Sequence, residues 1–79
     1  LFGARQDGVR LTILLPERTG ELKVISQTIA DMGGNIISFV ICDGKDVTSK
    51  MCILKVSGID RPKLVEAIQP FALEIVDVR

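Results

Sequence analysis

The stretch Pro16-Glu17-Arg18-Thr19-Gly20-Glu21-Leu22 gathers two carboxylates, a guanidinium, a hydroxyl and a glycine between an apolar strand-like run and an amphipathic helix-like run. The chemistry these residues suit is binding. A glycine lets a ligand approach the backbone, and free N–H groups at a helix start attract an anion. Arg18 can pair with a carboxylate or simply remain solvated. Gly20 can equally serve turn geometry alone.

Other chemistries lack their parts. The chain has no histidine, so a nucleophilic triad has no imidazole base. The carboxylate pairs Asp43 with Asp46 and Glu17 with Glu21 fall in turn-like or open positions, where solvated charge is the expected state. Asp43-Gly44-Lys45-Asp46 is too short for a calcium loop. Cys42 and Cys52 are the only cysteines. They are too few for a disulfide framework or a thiolate metal site, and they read as free, partly buried thiols. No catalytic residue, metal or cofactor is expected.

Ten basic and ten acidic residues cancel to a formal net charge of zero, without a long run of either sign. That argues against nucleic acid and anionic lipid as partners. No apolar run spans a bilayer and no signal peptide is visible, which says little about the parent; the expected compartment is the cytoplasm. The sequence begins with Leu1, which suggests a piece excised from a longer chain with domains upstream. With 79 residues, 47% of them hydrophobic, it holds one small domain with a packed core.

Residues 1–8, LFGARQDG, read as a connector and residues 9–79 as the domain. Val9 to Leu15 alternates as a strand, with Val9, Leu11, Ile13 and Leu15 on one face, and Pro16 ends it. Gly20 to Met32 has helical spacing at Leu22, Ile25, Ile29 and Met32, with Thr19 as its expected N-cap and Gly33-Gly34 as its stop. Asn35 to Cys42 and Val47 to Val56 read as a hairpin closed by the Asp43–Asp46 turn. Asp60 caps and Pro62 opens a second helix with Leu64, Ile68 and Phe71 on its apolar line. Pro70 falls near its end, and Leu73 to Val78 is the last strand. The order βαββαβ implies an α+β, ferredoxin-like sandwich: a four-stranded antiparallel sheet with two helices on one face.

One feature of the second strand exceeds what a two-layer sandwich needs. By strict alternation Ile36, Val40 and Cys42 face one way, and Ile37, Phe39 and Ile41 the other. Both sets are apolar, so one lies on the helix-free side. Ile37, Phe39, Ile41, Met51 and Ile53 are therefore the expected self-association surface. An RNA-binding sheet of this topology needs stacking aromatics, and of the three Phe only Phe39 lies on a central strand.

The stretch "LTILLPERTGELKVISQTIADMGGNI" resembles the start of ACT domains, small regulatory modules of which many bind amino acids. Glu17, Arg18, Gly20, Leu22, Gly33, Asn35 and Ile36 match the family pattern, and Thr19 stands where proline is common. The segment "LFGARQDGVRL" is similar to the joint between paired CBS domains and a C-terminal ACT domain in acetoin-utilisation-type regulators. The resemblance implies a non-catalytic module that pairs with itself and binds a small-molecule effector, an amino acid, to control a parent protein. The implied effector site joins Glu17, Arg18, Thr19, Gly20, Glu21 and Leu22 of one copy to Asn35, Ile36 and Ile37 of its neighbour. Asn35 offers both a donor and an acceptor to such a ligand. Its plainer role is to cap the Gly33-Gly34 turn. The alternative function is a pure oligomerisation element.

Overall fold

The computed structural model describes residues 8–17, 20–43 and 46–79. The elements run β1 (Val9–Pro16), α1 (Glu21–Asp31), β2 (Asn35–Asp43), β3 (Ser49–Ser57), α2 (Arg61–Ile68), a 3-10 turn (Gln69–Phe71) and β4 (Glu74–Val78). The strands form one sheet in the order β2-β3-β1-β4 with every neighbouring pair antiparallel. This is the expected ferredoxin-like βαββαβ fold. The connector assigned to residues 1–8, with its similarity to a CBS–ACT joint, lies outside the described residues apart from Gly8. So do Arg18 and Thr19.

The alternation of β1 sets the core. Val9, Leu11, Ile13 and Leu15 are buried, and they meet Val56, Leu54 and Cys52 of β3 and Ile25, Ile29, Leu64 and Ile68 of the helices in one cluster. Side chains directly opposite in an antiparallel pair share a face. Val9↔Val56, Leu11↔Leu54 and Ile13↔Cys52 therefore mark the helix-bearing side. Arg10, Thr12 and Leu14, opposite Lys55, Ile53 and Met51, mark the other side.

α1 begins after Gly20, whose φ of 86° places it in the left-handed region. Gly20 holds the cap position itself, without a side-chain cap bond, so Thr19 is not the N-cap. The helix ends as expected. Gly34 N–H donates to the Ile29 carbonyl at 2.9 Å, and Gly33 N–H donates to the Ala30 carbonyl at 3.0 Å. Gly33 at φ 84° closes this Schellman arrangement.

β3 starts at Ser49, not at Val47. The Asp46 carboxylate accepts bonds from Thr48 N–H at 2.9 Å and from the Thr48 hydroxyl at 2.6 Å. That side-chain clasp keeps residues 46–48 in the turn despite the strand-like composition of Val47 and Thr48. The same bonds, the Thr48 hydroxyl first, hold the Asp46 carboxyl below its usual pKa.

β2 overturns the face assignment drawn from strict alternation. Ile36 lies opposite Val56, but Ser38 lies opposite Lys55, so Ile37 is an extra residue without a counterpart on β3. One inserted residue transfers every later side chain to the other face. Phe39 and Ile41 accordingly stand opposite Leu54 and Cys52 on the helix-bearing side, together with Ile36. Val40 and Cys42 stand opposite Ile53 and Met51 on the helix-free side. The expected set of Ile37, Phe39, Ile41, Met51 and Ile53 thus divides between two faces. The cysteines divide as well: Cys42 is exposed, Cys52 is buried, and both are free.

Candidate functional site

The turn from β1 into α1 builds one end of the molecule. Glu17 N–H donates to the Thr48 carbonyl at 2.8 Å, which ties the turn to the β2–β3 hairpin. Gly20 follows in the left-handed conformation, and a Cβ added there would meet nothing within 4 Å. Its glycine is explained by φ. The open space above it leaves its backbone accessible. Glu21 and Leu22 form the first turn of α1, and Leu22 packs against the core.

Beside this turn lies a pocket of about 130 Å³ lined by Leu15, Pro16, Glu17, Glu21, Leu22, Ile41, Lys50 and Cys52. Its interior is apolar, from Leu15 of β1, Leu22 of α1, Ile41 of β2 and Cys52 of β3. Its rim is charged. Lys50 Nζ lies 3.6 Å from Glu17 Oε1, with both side chains about half-exposed. Burial, and secondarily the neighbouring Cys42, pushes the Cys52 thiol up to about 12. At neutral pH Cys52 is therefore an uncharged apolar wall and not a nucleophile.

The other half of the expected site is elsewhere on the chain. β1 and β2 each pair antiparallel to β3, so they run parallel to one another. Asn35 lies opposite Ser57, at the end of the sheet where β1 begins, and Asp43 lies opposite Lys50, at the end where β1 finishes. At ~3.3 Å per residue the two ends of β2 are roughly 25 Å apart. Glu17, Gly20, Glu21 and Leu22 come together within one chain, whereas Asn35, Ile36 and Ile37 do not join them. Asn35 is exposed and Ile36 packs against the core. Sequence reasoning missed Leu15, Pro16, Lys50 and Cys52 as pocket residues and assigned Ile41 to the self-association surface. The sequence carried no signal for Lys50, because a hairpin closed by an Asp43–Asp46 turn sets Val47, not Lys50, beside the end of β2.

β2 is also an unpaired sheet edge. Its nine residues are exposed except for Ile36, and Ile37, Phe39, Val40 and Ile41 are apolar and 37–51% exposed. Among the described residues no cluster of three metal-ligating side chains occurs. No described helix is long and apolar enough to cross a membrane.

No protein-family model matches the chain, and no curated protein matches it. Solved structures do share its fold. A formyltetrahydrofolate deformylase from Pseudomonas putida KT2440 superposes with a TM-score of 0.65 at 15% identity, covering 92% of this chain and 28% of that one. A formyltetrahydrofolate deformylase from Pseudomonas syringae pv. tomato str. DC3000 gives 0.70 at 18% identity, covering 91% and 26%. GqqA, described as a novel type of quorum quenching acylase, gives 0.72 at 13% identity, covering 90% and 28%. At these identities the likeness is one of fold, and the chain corresponds to little more than a quarter of each of those proteins.

Proposed function

We propose that residues 9–79 form a non-catalytic regulatory module of the ACT type that pairs with a second copy and binds a small amino-acid effector at the joint. Differential affinity of the effector for two states of the pair would then set the state of a parent chain with upstream domains. The observation that carries this reading is the separation of Asn35 from Gly20 along two parallel strands. A twofold axis that pairs β2 antiparallel to β2 of a second copy puts the partner strand's first residues at the Gly20 end. The two half-sites then meet across the joint, where neither chain alone assembles them.

The edges of the sheet favour that axis. β4, the other edge, has five residues, is kinked by an irregularity between its contacts to Thr12 and Ile13, and carries Glu74 and Asp77. Short, bulged and charged edges resist pairing. β2 is nine residues long and apolar on both faces, which favours strand addition. In such a pair Phe39 and Ile41 line the helix side of the seam, and Met51 and Ile53 extend the apolar surface on the other side. The fold-sharing proteins, each several times longer than this chain, agree with a module borne on larger proteins.

A plainer reading keeps the pairing and drops the effector, because φ alone accounts for Gly20. One experiment separates the two. Sedimentation of the chain and of Val40→Lys tests the pairing, since Val40 is half-exposed on β2 and contributes little to the core. A dimer that becomes monomeric in the variant is expected; an unchanged mass refutes the β2 joint. Calorimetry against the twenty amino acids tests the effector, and silence from a folded dimer leaves oligomerisation alone.

A further inference from the structure

The pocket beside Gly20 has a chemistry more specific than effector binding in general. We infer that it takes a zwitterionic α-amino acid with a short aliphatic side chain, the side chain entering the pocket and the head group replacing the Lys50–Glu17 contact at its rim. This inference rests on the effector reading above and specifies the ligand.

The walls select the side chain. Leu22 and Ile41 present carbon to the interior, and Leu15 and Cys52, which have almost no exposed surface, close it from behind. A polar side chain placed there would lose its water without finding a hydrogen-bond partner. The volume of about 130 Å³ bounds its size. A cavity of about 150 Å³ with apolar walls accepts a benzene-sized guest, so a branched side chain of three or four carbons has room here.

The rim selects the head group. Lys50 and Glu17 face each other at 3.6 Å, both half-exposed, at the end of the sheet where β1 finishes. Such a surface pair is weak and easily exchanged. A ligand carboxylate turned to Lys50 and a ligand ammonium turned to Glu17 replace one ion pair by two. A ligand with only one of these charges forms one contact in place of two, and Glu21, which also lines the pocket, further disfavours a lone carboxylate. The location also links the ligand to assembly. Ile41 is both a pocket wall and part of the unpaired β2 edge, so a side chain in the pocket packs against the strand proposed to form the joint.

The test is calorimetric titration of the intact chain with L-leucine, L-valine, glycine, L-serine, 4-methylpentanoate and 3-methylbutylamine. Each buried methylene contributes roughly fourfold in affinity, so leucine should bind on the order of a hundredfold more tightly than glycine. The two single-charge compounds should bind at least about tenfold more weakly than leucine. Lys50→Met should lose at least about tenfold for leucine with an unchanged oligomeric state, and Lys50→Arg should recover most of it. Serine or glycine binding as well as leucine, or indifference to Lys50→Met, overturns this inference and leaves the effector module standing. Failure of every amino acid to bind removes the effector reading itself.

Discussion

Replacing Gly34 with alanine should expose how tightly the α1–β2 junction is locked to the loop before α2. Gly34 does not need its lack of a side chain for backbone conformation, because its φ is not positive. It needs it for space. A Cβ at this position would overlap Ile59 Cδ1, and would lie 2.8 Å from Ile59 Cγ1 and 2.9 Å from Ile29 Cγ2. The Ile59 methyl is the far end of a side chain, but Cγ1 behind it is also too close, so turning the methyl away relieves only part of the overlap. Ile29 is fully buried between helix and sheet and cannot turn away. Overpacking of this kind costs about 1–3 kcal/mol. For a domain of this size, 2 kcal/mol lowers the melting temperature by roughly 8–16 °C. Ile59→Val removes the overlapping methyl, so the double variant Gly34→Ala/Ile59→Val should regain about 1 kcal/mol relative to the sum of the singles. Urea denaturation of the four proteins measures that coupling. Additive effects would refute the contact and would place the cost of Gly34→Ala in the backbone. The consequence for function is positional, since this junction sets where β2 begins and hence where Asn35 sits.

Gly20→Ala should destabilise by about 1–2 kcal/mol, the cost of a left-handed non-glycine residue, and Gly20→Asn by less. Because nothing lies within 4 Å of the added Cβ, compensating changes in neighbouring side chains should not rescue it. Equal stability of Gly20→Ala and wild type in urea would contradict the left-handed turn. Native-state thiol labelling should modify Cys42 rapidly and Cys52 only on unfolding. Cys52 also fixes a pH dependence. Its folded pKa is raised from 9.0 to about 12, so the folded state retains the proton longer than the unfolded state. The resulting stability is complete below pH ~9 and is lost as pH rises towards about 12. Cys52→Val should flatten this alkaline decline relative to wild type. A decline of the same slope in both proteins would assign it to other groups.

The limits of the sequence as a guide are physical, and β2 shows them most clearly. In β1 one face is apolar from Val9 to Leu15 and Arg10 and Thr12 break the other, so only one orientation buries the right side chains. That strand, the Gly33-Gly34 stop and the order of elements were legible for this reason. In β2 apolar residues occupy both faces, and hydrophobicity no longer distinguishes one register from the next. The extra residue at Ile37 therefore carries no signal in composition, yet it decides that Phe39 and Ile41 face the helices. The pocket was hidden for a related reason. Leu15, Leu22, Ile41 and Lys50 are distant in sequence, and only the true register of β2 turns Ile41 towards Leu22. With strict alternation Ile41 would have faced away and the pocket would have lost a wall. The bulge at Ile37 thus connects the two proposals made for this chain. It completes the apolar wall beside Gly20, and it leaves Val40 and Cys42 as the outward residues of the strand that awaits a partner.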